Sequence, residues 1–372
     1  MTYANGQAII QYFEEFSPKS YAVEGDKVGL QIGTLNKKVR KIMIALDVIE
    51  PVVDEAVEQG VDLILAHHPI IFKPIKSLRT DQVYGRTIEK LIKHDITVYA
   101  AHTNLDVTPG GVNDLMAEAL GLENCEVLAE TFEDVVKKLS VFVPEEQADG
   151  VREALGKAGA GFIGNYSHCS FNTKGTGAFM PGEGTDPFIG ERGKMEFVNE
   201  VKIETVFPAS IERKVIRALL DSHPYEEAAY DIYNMAIPGK KLGLGRIGEL
   251  KERMSLETFA NHVKGAFDVE GVRVVGDLQK MVKKVAVLGG DGNKYVSTAI
   301  RRGADVFVTG DIYYHVAHDA MMEGLSMVDP GHNVEKIMKD GVKDLIGEFI
   351  EKKKYKTEVI TSNLNTDPFK FL

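Results

Sequence analysis

Two stretches of this chain share one pattern, and that pattern limits the fold more than any other feature. Residues 39–68 read VRKIMIALDVIEPVVDEAVEQGVDLILAHH, and residues 282–311 read VKKVAVLGGDGNKYVSTAIRRGADVFVTGD, aligned without a gap. Each reads as an apolar strand, a loop, an amphipathic helix, a glycine and a second apolar strand. Gly60 and Gly303 stand where helix C-caps belong. Asp62 matches Asp305, Ala56 matches Ala299, and His67-His68 falls on Gly310-Asp311. Such βαβ units are the generic device of α/β proteins; the gapless match favours a duplicated α/β unit. The repeat is read further on in a second register, at a different offset. The strand Ile96 to Ala101 leads to His102-Thr103-Asn104-Leu105-Asp106, and Leu325 to Pro330 leads to Gly331-His332-Asn333-Val334-Glu335, so Asp106 falls on Glu335.

Between the two halves lies a segment of different character. It reads as a strand over 138–143, a helix over 147–158, a glycine-rich loop over 175–193 and a strand over 200–207. A helix over 210–222 and a strand near 230–233 complete it. This is read as the β-α-β-β-α-β order of a ferredoxin-like plait of ordinary domain size, with one of its four strands not placed among these runs. The expected organisation is therefore α/β: a duplicated α/β outer domain, residues 1–128 and 237–372, with a ferredoxin-like α+β insert at 129–236.

Bulk properties narrow the function. The chain has 372 residues, with 44% apolar and 27% charged, as in ordinary globular proteins. Its net charge of -11 argues against a nucleic-acid partner, which calls for a basic face. No apolar run reaches the roughly 20 residues of a membrane span, and the N-terminus lacks the basic and apolar regions of a signal peptide. The two cysteines, Cys125 and Cys169, read as free thiols in a reducing compartment. The expected location is cytoplasmic, with no membrane partner.

The chemistry lies at the ends of the strands, where open α/β sheets bind ligands. His67 and His68 follow the buried run Leu63 to Ala66, and Pro69 stops it. Imidazole is the commonest protein ligand for transition metals, but a histidine pair alone is equally read as two satisfied side chains. Two halves facing each other would gather His67, His68, Asp106, His332 and Glu335 around one cleft.

Five blocks carry a family resemblance: VGLQIG (28–33), LAHHPIIF (65–72), AAHTNLD (100–106), VTGDIYYH (308–315) and DPGHNVEK (329–336). The outer domain resembles the NGG-one-interacting-factor-three-like family, whose bacterial members are known as type 2 GTP cyclohydrolase I homologues. The segment with SHPYEEAAYDIY (222–233) resembles the PII/CutA-like domain of longer bacterial members. The resemblance implies a dinuclear metal centre held by His67, His68, Asp106, His332 and Glu335, and a toroidal homo-hexamer. Relatives usually place one more residue between the last His and Glu than this chain does.

Three histidines and two carboxylates form a mixed N/O set suited to Zn, Fe, Mn, Co or Ni. They are too many for one catalytic zinc, which takes three protein ligands, and they suit two divalent ions with open positions for water. Hydrolysis of a phosphate, amide or cyclic amidine follows, and the family resemblance implies a nucleotide or a similar small molecule as the substrate; a metal-binding regulator or metal-delivery protein is the competing reading. His102 and His315 are candidates for proton transfer, or equally for hydrogen bonds that orient the ligands. His315 stands four residues after Asp311, so on a helix the two would share a face. Lys73, Lys76 and Arg79 are the nearest basic residues. Gly289 to Asn293 reads as a tight turn, and His318 as a surface helix residue. His223-Pro224-Tyr225-Glu226-Glu227 reads nearly as well as a ligand site in the insert as it does as a surface turn.

Overall fold

A computed structural model describes residues 2–372. The chain is a mixed α/β protein with several sheets. Its packing divides it into two units: everything up to Phe132 together with Leu242–Leu372, and Glu133–Lys241. The boundaries at 129 and 236 read from the sequence fall a few residues earlier. Position 129 lies inside the strand Glu123–Asp134, and 236 lies ahead of the strand Lys240–Ser255.

In the first unit, a five-stranded sheet runs in the order Glu358–Thr361, Lys41–Ala45, Leu63–Ala66, Thr97–Ala100, Gly29–Ile32. The first four strands are parallel and Gly29–Ile32 is antiparallel. Parallel strands need both faces covered, which is why their sequences read as continuous apolar runs. The two-residue alternation of a strand then sorts them. Ile42, Ile44, Leu63, Leu65 and Tyr99 enter one core, while Met43, Ala45, Ile64, Ala66 and Val98 enter another. The helix Glu50–Glu58 covers the second face with Val52, Val53 and Ala56.

A six-stranded sheet follows the order Arg273–Val275, Ser326–Asp329, Val306–Gly310, Met281–Asp291, Lys240–Ser255, Glu123–Asp134. Its inner residues Val285, Val287, Val306, Val308 and Val328 share the first sheet's core. Ile10, Phe259 and Ile346, from the helices Gly6–Phe16, Leu256–Ala266 and Met338–Lys352, complete that core.

Residues 39–68 and 282–311 are built alike in detail. Gly60 and Gly303 both follow a helix end with positive φ, 66° and 73°. In each case the next amide reaches back into the helix, Val61 N to Ala56 O and Ala304 N to Ala299 O. This is the glycine stop that lets a strand leave a helix at once. Asp62 Oδ2 accepts from the amides of Arg40 and Lys41, and Asp305 Oδ2 accepts from those of Lys283 and Lys284. A carboxylate at the head of the second strand thus pins the start of the first in both stretches.

The second unit carries a four-stranded antiparallel sheet in the order Tyr230–Asn234, Val136–Pro144, Glu196–Pro208, Phe171–Phe179. The helices Ala148–Ala158 and Glu212–Ser222 pack Val151, Leu155, Val215 and Leu219 on Leu139, Val141, Val201 and Ile203. One expectation is corrected here: Gly175 to Phe179 is strand, not loop. Phe171–Phe179 is an edge strand with no core side chain, so its glycines hide the signal while backbone pairing to Glu196–Glu204 holds it extended. The turn read at Gly289 to Asn293 is also partly strand, because Met281–Asp291 runs through a register shift beyond Val287.

Candidate metal centre

The strand Leu63–Ala66 ends at His67 and His68, whose amides still pair with Ala45 O and Leu46 O at 3.0 and 2.9 Å. Beside it, Thr97–Ala100 runs into the helix Thr103–Val107, which carries the buried Asp106. From the other sheet, Ser326–Asp329 leads through Gly331 to the 3-10 helix His332–Ile337. Residues three apart eclipse in that helix type, so the short spacing still brings His332 Nε2 to 3.3 Å from Glu335 Oε2.

Each imidazole is fixed through its Nδ1. His67 donates to the Ala101 carbonyl at 2.8 Å, His68 to Asp47 at 2.6 Å and His332 to Asp311 at 2.7 Å. With Nδ1 donating, a neutral ring leaves its Nε2 as an acceptor. The three Nε2 atoms converge on Glu335 Oε2, at 3.6 Å from His67, 3.0 Å from His68 and 3.3 Å from His332. Asp106 Oδ1 stands 3.6 Å from His67 Nε2. His67 Nε2 and Asp106 Oδ1 are buried and lack any hydrogen-bond partner.

Acceptors crowded this closely in a buried place favour a positive charge among them, carried by a proton or by a metal ion. Burial pushes the His68 imidazolium down, but Asp47 and Glu335 outweigh it and raise its pKa to about 10. Glu335 raises His332 to about 9 against its own burial. His67 is also held above its ordinary value, burial being outweighed by Asp106 and Glu335. Burial and the neighbouring Glu335 charge lift Asp106 to about 6, while the imidazoles hold Glu335 well below the carboxylate range despite its burial. Protonation supplies a poor substitute for a metal ion, whose ligands are the deprotonated forms. The residues fit such an ion: His67, Asp106 and Glu335 form one compact group, and His68, His332 and Glu335 a second.

His102 joins His67 and His68 in a third compact group. Its Nδ1 donates to Asp26 at 2.9 Å, and Asp26 also accepts from Thr103 N at 3.0 Å and from the Thr103 hydroxyl. The other proton-transfer candidate is corrected. His315 is exposed on the helix Tyr314–Met322, with its ring against Tyr314, and it does not line the cleft. Asp311 is not on that helix at all: it takes φ 54° in the preceding turn, so no shared helix face exists. Lys73, Lys76 and Arg79 also stay outside the cleft, where Lys294 is the lysine that contributes.

The cleft has a volume of about 1060 Å³. Asp47 and the glycines at 289 and 290 line it, and Asp26 holds the lining residue His102; none of these was read from the sequence as part of the site. Asp47 had a signal, since it follows an apolar strand just as His67 does. Asp26 had none, standing in an aperiodic loop. A Cβ on Gly290, at φ 63°, would lie 2.8 Å from Glu335 Oε1 and 3.1 Å from His332 Nε2, so these glycines make room for the acidic centre.

The model of the Duf34/NIF3 (NGG1p interacting factor 3) family matches residues 4–368. The chain belongs to the Duf34/NIF3 family. A Halalkalibacterium halodurans protein named GTP cyclohydrolase 1 type 2 homolog is 63% identical over 372 residues, covering 100% of both chains. A Bacillus subtilis protein of the same name is 61% identical over 368 residues, 99% of each. Among solved structures, a Bacillus cereus protein related to NIF3 superposes with a TM-score of 0.93 at 59% identity, covering 100% of both chains. No helix among the described residues is long and apolar enough to cross a membrane.

Proposed function

We propose that this Duf34/NIF3 protein holds two divalent transition-metal ions and hydrolyses a nucleotide or a similar small molecule. The observation behind it is the meeting of three imidazole acceptors and two carboxylates in a buried place that only cations can relieve. On this reading His67, Asp106 and Glu335 hold one ion, and His68, His332 and Glu335 hold the other. Metal ions of this class, when bound, act as Lewis acids and make water a nucleophile at neutral pH. The chain's own contribution is orientation. Asp47, Asp311 and the Ala101 carbonyl keep each Nε2 aimed inward and make it more basic. His102, tied to Asp26, is the group we assign to carry a proton at its free Nε2.

A second reading, metal delivery or regulation without turnover, is favoured by one observation. Asp47, Asp106, Asp291, Asp311, Asp367 and Glu335 line the cleft against Lys294. That is a poor electrostatic match for a triphosphate unless the ions themselves neutralise it. Elemental analysis of the purified protein, followed by a nucleotide turnover screen with the metal-loaded form, separates the readings. Failure to take up metal sinks both; metal without turnover of any nucleotide leaves delivery.

The same reading takes the outer unit as a duplicated α/β domain, which the paired Asp62 and Asp305 contacts support. It takes 133–241 as a ferredoxin-like insert of the PII/CutA kind, which its sheet order and two helices support. A homo-hexamer is proposed from the family resemblance, and light scattering of the purified chain tests it. A cytoplasmic location fits the free thiols of Cys125 and Cys169.

A further inference from the structure

The unit Glu133–Lys241 contains a cavity of about 550 Å³, a normal size for a small-molecule site. Strand register explains its floor. Glu200 stands opposite Gly175, Lys202 opposite Thr173, and Phe142 opposite Lys202. Directly opposed residues share a face of the sheet, so all of these lie on one side. The helices pack on the other side, over Val141, Val201 and Ile203.

Two glycines shape the hollow. A Cβ on Gly177 would collide with the Glu200 carboxylate, whereas a Cβ on Gly175 would meet nothing. Glu200 is only 8% exposed yet lines the cavity. Tyr225 donates its hydroxyl to Glu200 Oε1 at 3.0 Å. Three rings surround that tyrosine: Phe179 at 5.7 Å, His223 at 5.2 Å and Phe188 at 6.3 Å between centroids. Phe188 belongs to the irregular segment after Phe179, which closes over the sheet. Glu226 ties that segment down by accepting from the Asp186 amide at 3.1 and 3.2 Å.

The charge balance of the walls is negative. Lys174 and Lys202 line the cavity, but their ammonium groups pair with Glu145 and Glu204, which do not. Glu200, Glu226 and Glu227 remain. An anion would face three carboxylates. A purely apolar molecule would leave the Glu200 carboxylate desolvated without a new donor. A cation gains both a charge-assisted hydrogen bond and the faces of aromatic rings.

We propose that this cavity is a binding site for a small organic cation, with an ammonium or amidinium head on Glu200 and an apolar body between Phe179, Phe188 and Tyr225. The site goes beyond the metal centre and does not depend on its chemistry. Ligand-observed NMR and calorimetry on the full chain test it, using phenethylammonium, 2-phenylethanol and 3-phenylpropionate as size-matched cation, neutral and anion. Phenethylammonium should bind, the alcohol weakly and the propionate not at all. Glu200→Gln should weaken phenethylammonium by about tenfold or more, as loss of a charge-assisted bond implies. Gly175→Leu, which adds a side chain on the cavity face where a Cβ meets open space, should abolish binding with the melting curve retained. The proposal is overturned if phenethylammonium does not bind at millimolar concentration, if the propionate binds as well, or if Glu200→Gln leaves the cation's affinity unchanged. Should Gly175→Leu fail to fold, the Glu200→Gln result and the probe series still decide.

Discussion

Glu335 is the one residue common to both candidate ion groups, and that makes metal stoichiometry a sharp readout. Its Oε2 lies within 3.6 Å of His67 Nε2 and within 3.3 Å of both His68 and His332 Nε2. Asp106 belongs to the buried group alone, and His332 to the more open group alone. Glu335→Gln replaces a charged bridge by an amide whose NH2 repels a cation. It should lower the affinity at both positions, taking the metal content from about two ions per chain toward none. Asp106→Asn and His332→Ala should each leave about one. Asp47→Asn acts one step further out. It keeps His68 in place but removes the charge behind its Nδ1, a kind of change that typically costs about 10–100-fold in metal affinity. Purified variants are dialysed against a chelator, reloaded with one metal and assayed by plasma emission and calorimetric titration. Retention of both ions by Glu335→Gln would refute the shared-ligand reasoning. Loss of both ions from Asp106→Asn alone would show that the two groups are not separable.

Further outcomes follow from other contacts. Gly290→Ala forces a left-handed backbone on a residue with a Cβ, at about 1–2 kcal/mol, and drives that Cβ against Glu335 Oε1. It should lower both melting temperature and metal content, and an unchanged metal content would mean the glycine serves only the backbone. His223 is pushed below its ordinary pKa by burial, with Nε2 donating to Phe142 O at 3.0 Å and Nδ1 accepting from the Tyr225 amide at 3.1 Å. Between its folded and unfolded pKa values the unfolded chain binds the extra proton, so stability rises with pH. Acidification below about pH 6.5 should therefore destabilise 133–241, as read by amide exchange. A His223→Gln variant with the same acid sensitivity would exclude this histidine. His102→Asn should keep bound metal and lower any turnover by about 10²-fold; loss of an ion would instead make His102 a ligand, as its grouping with His67 and His68 allows.

Much of this fold was legible because burial on both faces leaves a plain mark. The runs at 42–45, 63–66 and 98–100 are apolar throughout, and all three lie in parallel strands inside the first unit. The edge strand Phe171–Phe179 was not legible. It carries two glycines and no core side chain, so nothing in its composition separates it from a loop. The five ligand candidates stood out because each ends an apolar strand or follows one closely. The carboxylates behind them were harder to see. Asp26 lies 76 residues from the histidine it holds, and Asp311 and His332 are brought together by the turn around Gly331. His315 misled because four-residue spacing means a shared face only if the helix has already begun, and here it begins at Tyr314.

The two stretches 39–68 and 282–311 share their scaffolding contacts and differ at their tips. Asp62 and Asp305 make the same backbone contacts. Yet where the first copy ends in His67-His68, the second ends in Gly310-Asp311, and Asp311 now orients a histidine instead of being one. Asp106 and Glu335, which fall on each other in the repeat, are both buried carboxylates, but only Glu335 meets three imidazoles. A symmetric pair of ends would make two equal sites. This arrangement makes one fully buried group, His67 with Asp106 and Glu335, and one group whose histidines are partly exposed. On the metal reading the buried position is suited to retention. The open position, beside His102 and the 1060 Å³ cleft, is the one a small molecule can reach. On the duplication reading, a difference confined to the strand ends, with the shared framework unchanged, is therefore enough to give the site an inner and an outer side.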